Sequence, residues 1–368
     1  MRRLFKDPDE LRKSVFAAEI THRLIVSSSE YYVYEFAPAG RYAVRILTSY
    51  AEADYPELSQ RRRYGHTLTT ASQFLFAAAI AHTKLKSFPE YTAEQQALVE
   101  RWLRGKLLGP HIKFKETSRW TTEGDGVRGP TSTARVSGVT VNCCNPLRYN
   151  SGRVQIDMAL MAGSILFNDQ EGFESAIKGY VDVIDTMRAD GSLPYQTVRG
   201  NAAIWYQNLG IQVLVMAAEM AALQGIDLSS YKAPSGATLH SAIAFLARYM
   251  DQPSLVYGYA AKNINPWRAG NRITDPDDHR YQFATWKLPR LQGDGASFLA
   301  WFEPYQRRFP NHPNISLMSD VVTPIAERGT PRSKMIQLPY PFRRANATGG
   351  LFNDYSGTIT SCVFKEIP

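Results

Sequence analysis

Ala202–Leu223, AAIWYQNLGIQVLVMAAEMAAL, is the stretch on which the fold turns. Apolar residues fall on every side of a 3.6-residue helix, the pattern of a helix enclosed by others. Its length would suit a membrane span, but Gln207, Asn208, Gln212 and Glu219 are costly in lipid. It reads instead as the inner helix of a chain of packed helices. Outward from it, apolar stripes recur at helical spacing. One is Val154, Met158, Met161 and Ile165, with Ser151 placed to cap it. Another is Phe173, Ile177, Tyr180, Val181, Ile184 and Met187, and a third is Leu239, Ile243, Leu246 and Met250. Thr92 and Gln95 make a capping box ahead of Leu98, Val99, Trp102 and Leu103. Helices in series from about Thr67 to Gly329, with no fixed repeat, predict an all-α chain. The expected form is an (α/α) toroid or incomplete barrel, with a cleft at one end.

The two ends of the chain read differently. Tyr31–Phe36 (YYVYEF) and Arg41–Leu47 (RYAVRIL) flank Ala37-Pro38-Ala39-Gly40, and aromatic and β-branched runs about a Pro/Gly turn suggest a hairpin. Thr358–Phe364 (TITSCVF) follows a glycine-rich loop and reads as a strand. A small β appendage formed by the N- and C-terminal segments is therefore expected. The division is an N-terminal segment with the hairpin and a lid loop over 1–66, a helical domain over 67–329 and a tail over 330–368.

The 368 residues carry 42 Lys and Arg against 34 Asp and Glu, a net charge of +8, which favours an anionic partner. Three cysteines exclude a disulfide framework, and none has zinc-site spacing. No phosphate loop, dinucleotide fingerprint or nucleic-acid motif is present. Met1–Lys13 lacks the apolar run of a signal peptide, so a secreted or periplasmic location is expected only if a leader has been removed. Neither a membrane nor a nucleic acid is expected as a partner, and the sequence leaves the oligomeric state open.

Immediately before the inner helix lies Asp190–Tyr206, DGSLPYQTVRGNAAIWY. Arg199 and Tyr206 are seven residues apart. On one helix that is two turns, about 10.5 Å of rise with nearly the same facing. Both could then reach a ligand lying across that face, with Gln196 three residues before the arginine. Taken alone, these residues read more readily as a solvated arginine and a tyrosine satisfied at a helix surface.

The wider pattern resembles the alginate lyase domain of polysaccharide lyase family 5 and related uronate lyases. That family carries an aspartate-glycine-x-leucine-proline run, then an arginine, then a tyrosine seven residues on. The matching residues are Asp190, Gly191, Leu193, Pro194, Arg199 and Tyr206. Glu100-Arg101-Trp102-Leu103-Arg104 resembles the outer helix before the family's active-site loop, and Trp301-Phe302-Glu303-Pro304-Tyr305 its late aromatic helix. Asn150-Ser151-Gly152 falls where the family has an Asn-x-His signature opening a helix. The resemblance spans roughly residues 70–325. It implies that Tyr206 is the acid/base and that Arg199 and Asn150 neutralise the uronate carboxylate. The surroundings depart from the pattern: Gly152 stands for the signature histidine, Gln196 for the glutamate before the arginine, and Gln207 for the histidine after the tyrosine.

Elimination across a 4-linked uronate needs the carboxylate neutralised, a base for the C5 proton and an acid for the C4 bridging oxygen. Free tyrosine ionises near pH 10, and an adjacent guanidinium favours the tyrosinate. In mannuronate and glucuronate the C5 hydrogen and C4 oxygen lie on one side, so one tyrosine can serve both steps. Guluronate and galacturonate place them on opposite sides. Loss of the signature histidine therefore points to syn elimination of mannuronan, alginate or glucuronan, with no metal and no cofactor.

Around this core the sequence offers further binding candidates. Gln196 and Gln207 would tune or bind. Arg61-Arg62-Arg63-Tyr64 reads either as a solvated charge run or as a basic, aromatic lid over the cleft, which makes Arg63 and Tyr64 candidates. His66 and His279 lie near predicted loops and could replace the missing histidine, whereas His82 and His240 read as packed. Asp275-Pro276-Asp277-Asp278-His279 matches no calcium-loop spacing and reads as a solvated loop. Two other functions compete. A glycoside hydrolase on a similar toroid would need paired carboxylates, and Asp157, Asp182 and Asp185 are available but read as outward-facing. A non-catalytic polyanion binder would satisfy the charge alone.

Overall fold

The computed structural model describes residues 8–55, 64–119, 133–136, 139–142, 151–197, 203–252, 254–260 and 301–318. The chain divides into two compact units. One comprises Met1–Phe114, Gln155–Ala176 and Asn353–Pro368, and the other Lys115–Val154 and Ile177–Phe352.

The first unit is built from α1 (Pro8–Tyr34), α2 (Ala37–Glu52), α3 (Tyr64–Leu85), most of α4 (Ala93–Arg119), the body of α5 (Ser151–Phe167) and the start of α6 (Gln170–Asp185). The expected N-terminal hairpin is not there. Tyr31–Tyr34 is the last turn of α1, and Arg41–Leu47 lies inside α2. The reason is the longer period: Ala39, Ala43, Val44, Ile46, Leu47 and Ala51 are buried while Arg41 and Arg45 face out. That is a helical stripe, which a seven-residue window hides. Pro38 sits in the first turn of α2, where no amide partner is needed, and does not make a β-turn. The chain reverses instead at Glu35, whose φ is 53°. The C-terminal strand and the stretch 56–63 of the expected lid lie outside the described residues.

The capping box forms as read: Thr92 N–H donates to Gln95 Oε1 at 3.1 Å and Gln95 N–H to Thr92 Oγ1 at 3.3 Å. His82 is packed as expected. It is fully buried, 2.8 Å from the Tyr91 hydroxyl and 3.2 Å from Glu100, and burial lowers its pKa.

The second unit is centred on α8 (Ala203–Leu223), the inner helix. From Leu209 to Ala221 every residue is buried, Gln212 and Glu219 included. Packed on it are α7 (Pro194–Thr197), α9 (Leu239–Asp251), α10 (Ser254–Ala260) and α11 (Phe302–Arg308). The buried Glu219 carboxylate is met by both Nε and Nη2 of Arg308, which ties the end of α11 to α8. A two-stranded antiparallel pair, β1 (Thr133–Val136) and β2 (Val139–Asn142), stands where the sequence reading ran helix throughout.

His240 near the start of α9 is also packed. Its Nδ1 lies 2.8 Å from the Tyr305 hydroxyl, and its ring stacks on His312 at 4.4 Å. The Tyr305 hydroxyl also accepts from Asn314 Nδ2, and Asn314 N–H donates to His312 Nδ1, which makes that ring nitrogen an acceptor. Burial lowers both pKa values; His312 lowers that of His240 further, and Asp227 opposes part of that shift.

Candidate active site

The aspartate-glycine run builds a turn, and the turn carries the site. Gly191 has φ of 90°, a conformation that only glycine adopts cheaply. A Cβ there would lie 2.0 Å from the Ser241 carbonyl oxygen, so α9 packs directly on the turn's backbone. Asp190 Oδ1 accepts from Ser192 N–H at 2.9 Å, and Oδ2 accepts from the Tyr259 hydroxyl at 2.8 Å. Burial alone would raise the Asp190 pKa. The hydrogen bonds from Ser192 and Tyr259, with the charge of Arg188, outweigh that and hold it below the usual carboxylate range.

Arg188 closes the turn from the other side. One guanidinium nitrogen donates to Ser192 Oγ at 3.0 Å and to Thr197 Oγ1 at 2.9 Å. The guanidinium also lies 3.9 Å over the Tyr259 ring. Arg188 and Tyr259 were not singled out in the sequence. Arg188 is only two residues from the motif, but Tyr259 is 69 residues from Asp190, and no local pattern joins them.

Gln207 joins this turn to the inner helix. It is fully buried; its Oε1 accepts from Leu193 N–H at 2.8 Å, and its Nε2 donates to Gly191 O at 3.2 Å. One turn further along that face, Gly210 leaves room for Leu193, since a Cβ there would lie 2.6 Å from Leu193 Cδ1. Gln196, in α7, is buried against the same place, its Cγ 3.6 Å from where that Cβ would be. Among the described residues its Oε1 has no hydrogen-bond partner. Tyr206 sits in the first turn of α8 and is half-buried. Asn208 is buried and accepts from the indole N–H of Trp301 at 2.7 Å.

Of the residues singled out in the sequence, the structure therefore packs Gln196 against α8 at Gly210 and Gln207 against the Gly191–Leu193 turn, with Tyr206 the residue before Gln207. Arg199, Asn150, Arg63 and His279 lie outside the described residues, as does 198–202, across which the seven-residue helical spacing of Arg199 and Tyr206 runs. Tyr64 and His66 are in the first turn of α3, in the first unit. The carboxylates weighed for a hydrolase are placed otherwise than expected in one case: Asp157 is buried on α5, because it stands amid Val154, Ile156 and Met158 on a helix enclosed on most sides. Asp182 pairs with Lys178 and Asp185 accepts from the Tyr231 hydroxyl. Among the described residues no helix is long and apolar enough to cross a membrane, and no group of three or more His, Cys, Asp or Glu could hold a metal ion.

An inner helix gripped by an aspartate-glycine turn, with a half-buried tyrosine in its first turn, is the arrangement that the comparisons with known proteins bear on. The family described as Alginate lyase matches residues 155–256, which contain the turn, Gln196, Arg199, Tyr206 and Gln207. Alginate lyase A1-III from Sphingomonas species A1 superposes with a TM-score of 0.63 at 17% identity, covering 98% of this chain and 79% of that one. A tyrosine-to-phenylalanine variant of A1-III complexed with tetrasaccharide gives 0.62 at 17% identity, over 98% and 79%. An alginate lyase from Bacteroides ovatus gives 0.50 at 14%, over 83% and 73%. No curated protein matches the chain at a significant level. The likeness shows the fold: this chain has the (α/α) toroid architecture of those lyases, as the resemblance implied.

Proposed function

We propose that the protein is a polysaccharide lyase that cleaves 4-linked polyuronate by syn β-elimination. The observation that carries the reading is the placement of Tyr206. It is half-exposed at the start of the inner helix, within the residues the family match covers, while its neighbours Gln207 and Asn208 point inward. Structures of this fold include a tetrasaccharide complex of an alginate lyase, which supports an anionic polysaccharide as the ligand.

In the proposed step, Arg199 and the Asn150 amide neutralise the uronate carboxylate, so that negative charge can build at C5. The Tyr206 oxygen takes the C5 proton. The electron pair forms the C4–C5 double bond as the C4–O bond breaks, and the leaving oxygen takes the proton from Tyr206. No oxidant, metal or cofactor enters that balance. One hydroxyl on one face suits mannuronate and glucuronate, and the net charge of +8 suits a polyanion.

The test is a panel of purified polyuronates read by absorbance of the conjugated 4,5-unsaturated end. Growth of that absorbance on mannuronan or glucuronan supports the reading. New reducing ends without it would assign a hydrolase, and binding without cleavage a non-catalytic polyanion binder.

A further inference from the structure

We propose that Gln207 is a positioning residue for Tyr206, setting the rotation of the first turns of α8 and so the place of the tyrosine hydroxyl; this rests on the acid/base reading of Tyr206. The sequence offered Gln207 as a residue that binds or tunes. Its amide is spent elsewhere: it is fully buried, with the oxygen on Leu193 N–H and the nitrogen on Gly191 O. A carboxamide that both accepts and donates is suited to such a pair, because one end must meet an N–H and the other a C=O.

The grip has two sides. Consecutive helical residues are about 100° apart around the axis. Gln207 faces the Gly191–Leu193 turn, and Asn208, the next residue, faces Trp301 at 2.7 Å. Tyr206 is left on the remaining face, half-exposed. Gly210 extends the seat on the Gln207 face by admitting Leu193 where a Cβ would collide. The turn so engaged is itself held. Arg248 Nη2 donates to Asp190 O at 2.8 Å, and Arg188 ties Ser192 to Thr197. The hydroxyl is thus referred, through one amide, to a turn fixed by α9 and α10. A misplacement of about 1 Å at a reacting group can cost on the order of 10²-fold in rate.

The experiment measures kcat, KM and melting temperature for Gln207→Leu and Gln207→Glu on the polyuronate that the wild type cleaves. It also measures oligouronate binding and residual rate in a Tyr206→Phe background. Gln207→Leu should lower kcat by roughly 10²-fold with KM within threefold. In Tyr206→Phe it should change neither binding nor residual rate by more than about twofold, since no hydroxyl remains to be placed. Gln207→Glu keeps the acceptor for Leu193 N–H but loses the donor, so it should fall between; being isosteric, it carries the test if the leucine variant does not fold. A fall in melting temperature with kcat per folded molecule unchanged would make Gln207 structural only. Tenfold weaker binding with kcat preserved would make it a substrate contact. Either outcome overturns the proposal while leaving the lyase reading intact. Failure of the wild type to cleave any polyuronate overturns both.

Discussion

Replacing Gly191 by alanine tests the central structural claim, that the aspartate-glycine turn is wedged against α9. Two costs add. The residue has φ of 90°, and holding a side chain in the left-handed region costs about 1–2 kcal/mol. The new methyl would also lie 2.0 Å from Ser241 O and 2.4 Å from its carbon, both backbone atoms. Relief requires α9 to move, yet Ser241 belongs to that helix's capping box, donating its N–H to Thr238 Oγ1 and accepting at Oγ from Thr238 N–H. Overpacking of this kind costs about 1–3 kcal/mol, and loss of the cap about 1 more. The sum is about 3–6 kcal/mol, a large share of the 5–15 kcal/mol typical of a folded domain. Gly225→Ala is the control: φ is 79° there, but nothing lies within 4 Å of the added Cβ, so only the conformational cost remains. Denaturant unfolding gives both values, and hydrogen exchange at 238–245 locates the damage. The reasoning fails if Gly191→Ala is within 0.5 kcal/mol of Gly225→Ala, a gap too small for a backbone collision.

Tyr206→Phe should lower turnover by about 10²-fold or more while polymer binding and melting temperature stay near wild type; a variant keeping more than a few per cent of the rate would remove Tyr206 from the acid/base role. Arg199→Ala should lose both rate and affinity, with Arg199→Lys recovering little, because a planar carboxylate is captured by the guanidinium fork; near-normal kinetics in the lysine variant would reduce Arg199 to a general positive charge. Polyguluronate and pectate should be cleaved poorly, and efficient cleavage of either would require a second group, His66 or His279 being the sequence's candidates. His240 and His312 have folded pKa values below the unfolded value of about 6.5, so their contribution is complete above that pH and is lost as pH falls through the folded values. Melting temperature should therefore decline below about pH 6.5, and His312→Gln should flatten part of that decline, with His240 and His82, whose shifts have the same sign, still contributing.

Much of the architecture was legible because burial leaves a periodic mark. The apolar surround of α8 and the Thr92–Gln95 capping box were both readable from residues a few positions apart, and both are in the structure. The N-terminal hairpin was misread because YYVYEF and RYAVRIL have β-forming composition, while the stripe that makes Arg41–Leu47 helical extends from Ala39 to Ala51. Within the site, the aspartate-glycine run and Tyr206 stood out by resemblance. What holds them did not. Tyr259 reaches Asp190 across 69 residues, and Asn208 meets Trp301 across 93. Such pairs follow from how helices pack, and no spacing in the chain encodes them. Gln207 was noticed for the residue it replaces, yet only the fold shows its amide turned to the backbone.

That replacement has a consequence for how the site responds to pH. The support beneath Tyr206 is an amide, Gln207, and a turn held by Arg188 and Asp190. An amide does not titrate. A guanidinium stays charged throughout the working range even though burial lowers its pKa. Asp190 is held ionised below the usual carboxylate range, so its two hydrogen bonds persist well below neutrality. A histidine at position 207 would instead gain or lose a donor near pH 6.5 and disturb the Gly191–Leu193 contacts as it did so. With glutamine there, none of the positioning groups changes charge between about pH 5 and 9. The pH dependence of turnover in that range then belongs to the reacting groups and to global stability, and the two separate experimentally: loss of fold through His82, His240 and His312 is confined to the acid side, below about pH 6.5.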